Sequence, residues 1–325
     1  MKKIMSLVMC MVMMFSCILT GCGDRTEQTS ETETKKVRIC SCGLYVDATK
    51  LIMREKKILE KYLPENVEIE WSQIASGPDI RDAVVSGNVD IADISLMTFI
   101  TGYENGLPID LLSFDGSTPT YLYTNRKDIK SVKDFGEGSS ISITNKNTNL
   151  HLAVLALCKR EAGNPLALDK YLTPIPAADA LSSLQTSQSF NGAVFTFPMS
   201  VKADKVDGLN LLYDMSDLVK EYNIGSAMIA NREFRKNNPD IISAFLKAQS
   251  EALKYIESNQ EESADILSSL FGCEKEDVLH AFEVMPPTDK VTGYDKLAQL
   301  LYESKIIEKE PTKFASLANY ESIVK

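Results

Sequence analysis

From Val37 to about Asn231 the apolar positions switch repeatedly between a spacing of two and a spacing of three to four, as expected where strands and helices alternate in an α/β fold. Val37 to Cys40 begins as a strand. Leu51, Ile52, Ile58 and Leu59 then fall at helical spacing and predict a helix over 48–61, which Pro64 ends. In "VEIEW" (67–71) the pattern alternates, so Val67, Ile69 and Trp71 share one face of a half-buried strand. The next stretch, "SGPDIRDAVVSGNVDIADIS" (76–95), opens with Pro78 in a first helical turn and carries an apolar stripe of Ile80, Ala83 and Val84. Gly87 can close that helix in the left-handed conformation, and 89–94 reads as a strand. Asp90 and Asp93 lie three apart in this strand and point to opposite faces, so they do not converge on one substrate atom. Residues 106–113 read as a turn and a strand, and 114–119 as a loop crossing to a second unit.

The alternation restarts at a strand over 140–144, followed by a helix that Asn147 or Thr148 can cap and that "GNP" (163–165) stops. A helix over 177–188 and a strand over 193–197 repeat the helix, turn, strand and loop order of the opening unit. Beyond Asn231 the pattern is helical. Pro239 starts a helix that buries Ile242, Phe245, Leu246, Leu253 and Ile256, and further helices are predicted over 263–270, 277–283 and 294–304.

The N-terminus follows different rules. Lys2 and Lys3 precede an apolar run over 4–19, too short for a comfortable membrane span and of the length of a signal-peptide core, and "LTGC" follows at 19–22. That tetrapeptide resembles a bacterial lipobox, which makes 1–21 a lipoprotein signal peptide and Cys22 the lipidated residue. Residues 23–36 hold no aliphatic or aromatic side chain, so 22–36 is expected to be a flexible tether.

Composition narrows the function classes. With 35 Lys and Arg against 45 Asp and Glu the net charge is −10, and loss of 1–21 would make it −12, which argues against a nucleic-acid surface. After Cys22, four cysteines remain: Cys40, Cys42, Cys158 and Cys273. Cys40 and Cys42 are two apart on one strand face, where a bridge would be strained, and small buried hydrophobes are the plainer reading. Only His151 and His280 exist as histidines, neither beside two cysteines at ligand spacing, so no metal and no cofactor are expected.

The lipobox and tether, together with "VRICSCGLY", "ASGPDIRDAVVSGNVDIADISLMTFITGYENGLPIDLLS", "ISITNKNTNLHLAVL" and "NPDIISAFLKAQSEALKYIESNQEES", resemble the substrate-binding lipoproteins of ABC importers. The similarity is to the nitrate/sulfonate/taurine and thiamine-precursor group and covers roughly 36–310; the SG(x)9SGxVDIA pattern is its most specific part. It implies a type II periplasmic-binding-protein fold, with lobe I over 37–113 plus 225–325, lobe II over 114–224, and a cleft between two α/β lobes. It also implies a monomer that is no enzyme, tethered by lipid on the extracytoplasmic side of the membrane and delivering a small solute to a permease and its ATPase.

Carried over residue by residue, the resemblance places ligand contacts at Ser41 and Tyr45, at Ser76 and Gly77, and at Asp93 and Ser95. In the second lobe they fall at Asn145, Thr148 and Asn149, and at Phe197. Ser76 can also serve simply as a helix cap, Tyr45 as a partly buried tyrosine, and Asp93 as a structural hydrogen-bond partner. The chain departs from many relatives in having Asn191-Gly192 and Phe197-Pro198 where those carry an acid. Lys146 is the one base inferred near the cleft, with Asp93 and Asp115 as acids. A nitrate- or sulfonate-like anion would then rely on helix N-termini, worth about 0.3–1 kcal/mol each, and the balance favours a neutral or amine-bearing heterocycle such as a pyrimidine thiamine precursor. Two further readings stand beside transport: an enzyme on the same fold, and a sensor that presents ligand to a membrane partner.

Overall fold

Lys35 to Ser41 form the first strand, β1, and pair in parallel with β2 (Val67–Gln73), Lys35 opposite Val67 and Lys36 opposite Glu68. In this computed structural model the chain is described over 34–74, 76–186 and 190–319. The signal peptide (1–21), Cys22 and most of the tether lie outside the described residues. The strand starts two residues before the tether was expected to end, because the backbone ladder holds Lys35 and Lys36 while both side chains stay exposed.

Between β1 and β2 runs α1 (Ala48–Glu55). It stops short of the 48–61 helix that the apolar spacing predicts, because Lys57 takes φ of 50° and turns the chain into a separate 3-10 turn at Leu59–Lys61. Then come α2 (Gly77–Val85), β3 (Ile91–Ser95), α3 (Leu96–Glu104) and β4 (Ile109–Ser117). Ser76 caps α2, its Oγ accepting the Asp79 N–H at 3.4 Å, with Pro78 in the first turn. Ser95 caps α3 by accepting the Thr98 N–H at 3.1 Å. β4 runs through Ser117, so the segment expected to cross as a loop from Phe114 is strand for four more residues and every one of its residues is buried.

The second unit holds β5 (Thr120–Thr124), β6 (Ile141–Ile143), α4 (Asn149–Ala162), β7 (Leu172–Pro174), α5 (Ala177–Thr186) and β8 (Gly192–Thr196). After these come α6 (Met199–Asp204), β9 (Asn210–Asp214) and α7 (Ser216–Tyr222). The chain then returns through β10 (Gly225–Asn231) to the first unit and ends in α8 (Arg232–Asn237), α9 (Pro239–Ser258), α10 (Gln260–Phe271), α11 (Lys275–Val284) and α12 (Tyr294–Glu303). No helix among the described residues is long and apolar enough to cross a membrane.

Two five-stranded sheets result, ordered β2-β1-β3-β10-β4 and β7-β6-β8-β5-β9. Their plans coincide: three parallel strands, then one antiparallel strand that enters from the other lobe, then an edge strand. These are the two α/β lobes of the expected fold class. The crossings are short, at 118–119 and 223–224, and both leave the neighbouring pair β4 and β10. Gly225 sits where that pair closes most tightly; a Cβ there would run into the Gly116 carbonyl and the Phe114 and Ser117 side chains.

The core follows the sheets. β3 and β10 are covered on both faces, so Ile91, Ala92, Ile94, Ala227, Met228 and Ile229 are all buried. Each large apolar side chain so enclosed contributes roughly 1.5–3 kcal/mol of transfer free energy. A strand buried on both faces also encloses its polar members, and Asp93 is one of them.

Candidate functional site

The carboxyl end of β1 is shaped by one carboxylate. Asp47, fully buried, uses Oδ2 to accept the Ser41 hydroxyl (2.8 Å), the Cys42 thiol (3.1 Å) and the backbone N–H groups of Gly43 (2.5 Å) and Leu44 (3.2 Å). Gly43 at φ 74° allows the turn, and a Cβ on it would collide with the Gln73 side-chain amide. Asp47 Oδ1 lies 2.9 Å from Lys50 Nζ, one turn along α1.

Lys50 gathers two more acids. Its ammonium donates to Asp93 of β3 and stands 3.7 Å from Asp115 Oδ2 of β4, with all four side chains at most 1% exposed. Burial works against the Lys50 charge, yet Asp47, Asp93 and Asp115 together hold its pKa well above the ordinary lysine value. Burial also pushes Asp47 upward, but the Lys50 charge and the hydrogen bonds it receives keep it at about 2. Asp93, buried and beside the Asp47 charge, is raised to about 7 despite Lys50. Burial lifts Asp115 well above the carboxylate range, and neither of its oxygens has a hydrogen bond. The cluster thus sets one lysine against three acids, of which Asp47 is held low while Asp93 and Asp115 are raised.

Two expectations meet this cluster. Asp93, carried over as a ligand contact, is 1% exposed and bound to Lys50, the structural hydrogen-bond role also open to it. Lys146 is inferred as the one base near the cleft; Lys50 is a second base, beside Asp93 and Asp115, the acids expected there. Asp90, just before β3, points the other way and accepts the Arg38 N–H at 2.8 Å and the guanidinium at 3.0 and 2.7 Å. The two aspartates therefore diverge, as strand geometry requires. Cys42, Asp47 and Asp93 do bring ligand atoms within 4.8 Å of one another, a grouping absent from the sequence expectation of no metal. The Lys50 ammonium already supplies the cation these acids need.

Other polar groups of lobe I converge from separate elements. Ser95 Oγ and Thr98 Oγ1 are 2.7 Å apart, and Gly77 at the start of α2 comes so near Thr98 that an added Cβ would stand 3.8 Å from its hydroxyl. Ser76, Gly77 and Ser95 are thus brought together. Ser41, by contrast, is spent on Asp47 and 2% exposed.

In lobe II the loop after β6 carries Asn145 to Thr148. Thr148 stands at the N-cap of α4 in extended conformation, but its hydroxyl turns back to the Asn145 carbonyl (2.9 Å) and leaves the first N–H groups of α4 without a side-chain cap. Asn149 Oδ1 is buried with no hydrogen bond. Asn145 is exposed, and Thr148 and Asn149 are half-buried.

The two lobes meet where α4 packs on α3 and where Phe197 leaves the end of β8. The Phe197 ring lies 5.3 Å from Tyr45 edge-to-face and 6.2 Å from Phe271 of α10. Tyr45 in turn stacks 6.1 Å from Phe282 of α11 and donates its hydroxyl to the Met285 carbonyl at 2.9 Å. Tyr45 and Phe197 are thus joined, but as a cross-lobe aromatic contact at 1% and 3% exposure. Sequence reasoning missed Lys50, Asp47, Phe271 and Phe282. A lysine and an aspartate three apart around an otherwise apolar helix start was the available signal for the first two.

Two sheets of one strand order, joined by paired crossings, define the periplasmic-binding-protein fold. Solved structures agree. The periplasmic aliphatic sulphonate-binding protein SsuA of Escherichia coli superposes with a TM-score of 0.68 at 22% identity, over 85% of this chain and 90% of that one. The ligand-binding component of an ABC-type import system of Staphylococcus aureus, with zinc bound, gives 0.71 at 16% identity over 90% and 96%. The periplasmic nitrate-binding protein NrtA of Synechocystis PCC 6803 gives 0.59 at 18% over 76% and 69%. The chain belongs to the NMT1/THI5-like family, which matches it over residues 62–263. No curated protein sequence matches the chain significantly.

Proposed function

We propose that this protein is the extracytoplasmic solute-binding lipoprotein of an ABC importer, anchored through Cys22, which captures a small organic solute by closure of the lobes and hands it to a permease. The observation that supports this reading is a set of ligand-ready ends on each lobe. Lobe I offers Ser76, Gly77, Ser95 and Thr98, and lobe II offers the uncapped start of α4 with Asn145, Thr148 and Asn149. Neutral hydroxyls, amides and backbone N–H groups form this set, since Lys50 is engaged by acids and Lys146 donates to Asp169 at 3.0 Å. Such a set suits a neutral or weakly charged polar heterocycle, such as a thiamine-precursor-like pyrimidine, better than a strong anion. A sulfonate- or nitrate-like anion would depend on the α2 and α4 N-termini.

Binding would shift the lobes toward closure because the solute touches both only when they are closed. Native mass spectrometry of the freshly purified protein, followed by thermal-shift measurement with a metabolite panel, tests the reading. Co-purification or stabilisation by an unaltered small molecule supports it. Absence of any stabilising compound removes it, and recovery of a chemically changed compound favours an enzyme on the same fold.

A further inference from the structure

The loop of lobe II after β6 is held by side chains of α4 and of the segment before β7. Asn147, at its tip, has φ of 61°, the left-handed conformation that asparagine holds more readily than other side-chain-bearing residues. Its N–H donates to Nδ1 of His151, 3.2 Å away and one turn into α4. Because Nδ1 accepts there, the neutral ring must carry its proton on Nε2, which lies 2.8 Å from Asp169 Oδ1. Asp169 Oδ2 and its backbone carbonyl each accept from Lys146 Nζ at 3.0 Å, and Lys146 belongs to the same loop as Asn147. A closed circuit results: loop to imidazole, imidazole to carboxylate, carboxylate back to loop. His151 is 4% exposed, so this circuit is its environment.

We propose that His151 is the positioning residue of the solute-contacting loop of lobe II: as a neutral imidazole seated on Asp169, it accepts the Asn147 N–H and so sets the orientation of Asn145, Thr148 and Asn149. The assignment rests on the reading that this loop contacts solute. The geometry also makes the loop sensitive to acid. A protonated ring presents N–H at Nδ1 to the Asn147 N–H, two donors face each other, and the loop loses its acceptor. Lys146 and Asp169 are the charged groups that act on the ring. Burial lowers the pKa of His151 and outweighs the opposing pull of Asp169, while Lys146 adds to the lowering. A histidine so lowered stays neutral at pH 7, and the order it supplies is lost as pH falls from about 6.5 through the folded value.

The test uses the solute-free protein. Nitrogen-15 spectra of the histidine rings should show His151 as the Nε2–H tautomer at pH 7.5. Amide-exchange protection at Asn147 should fall about tenfold in His151→Leu, which removes the acceptor, and stay near wild type in His151→Asn, whose Oδ1 can take the place of Nδ1. In wild type the same protection should drop on titration below pH 6.5, and in His151→Asn it should not follow pH. An Nδ1–H tautomer, or equal protection in wild type and a folded His151→Leu, would overturn the assignment. Should His151→Leu fail to fold, the wild-type tautomer and titration decide alone. Failure of the solute reading shows separately: Asn145→Ala with Thr148→Ala would leave stabilisation by a panel compound unchanged, whatever the state of His151.

Discussion

Replacing Lys50 by methionine isolates what the buried cluster contributes. Methionine keeps most of the volume and removes the ammonium that stands 2.9 Å from Asp47 Oδ1 and 3.7 Å from Asp115 Oδ2 and binds Asp93. Asp47 keeps the four donors on Oδ2 but loses the only charge that offsets its burial. Breaking one side of a buried pair costs about 3–5 kcal/mol, a large part of the roughly 5–15 kcal/mol that holds a domain folded. The cost must depend on pH, with a definite sign. In the wild type Lys50 holds Asp47 at about 2. Without it, burial drives the Asp47 pKa above the unfolded value near 4, so the folded variant binds a proton that the unfolded chain has released. The penalty then grows as pH rises above about 4, by at most about 1.4 kcal/mol per pH unit for one group. Urea unfolding at pH 5.0 and 7.5 should show Lys50→Met destabilised at both, and by at least about 1 kcal/mol more at pH 7.5. Asp115→Asn is the control: Asp115 stands farthest from Lys50 and has no hydrogen bond to lose, so the amide should be tolerated within about 1 kcal/mol. Equal penalties at the two pH values, or a loss under about 1 kcal/mol for Lys50→Met, would refute the charge assignment.

Other outcomes follow from the same geometry. The raised pKa of Asp93 contributes stability that is full below the unfolded value near 4 and is lost as pH rises through about 7, so Asp93→Asn should flatten the fall of melting temperature over that window. Phe197→Ala empties the aromatic contact between lobes; a loss of about 3 kcal/mol in unfolding free energy and a larger radius of gyration in solution scattering are expected. Asp90→Ala strands three donors of Arg38 and should cost about 1–3 kcal/mol in urea unfolding while leaving any solute-induced thermal shift intact.

What could be read from the chain tracks where the physics is local. Ser76, Pro78 and the stripe Ile80, Ala83, Val84 announced α2, and Pro239 announced α9 at its first residue. The divergence of Asp90 and Asp93 followed from strand periodicity alone. β10 carries no local signature: covered on both faces, "GSAMIAN" has no alternation, and its place between β3 and β4 depends on partners more than a hundred residues away. Lys50 failed for a related reason. Asp47, three positions before it, is local, but only the folding of β3 and β4 against α1 brings the other two acids, Asp93 and Asp115, to Lys50. The His151 circuit needed Asp169, eighteen positions on, to be brought back by the pairing of β6 with β7.

The adjacency of the two crossings has a mechanical meaning. A single linker would let lobe II swivel and twist as well as swing. Two strands leaving side by side, locked at Gly225 against the Gly116 carbonyl, suppress the twist and leave one principal degree of freedom, like pages turning on a spine. On the proposed reading, an encounter with solute would then have little orientational disorder to remove, and the free energy of capture would go into contacts across the cleft instead of into aligning its walls.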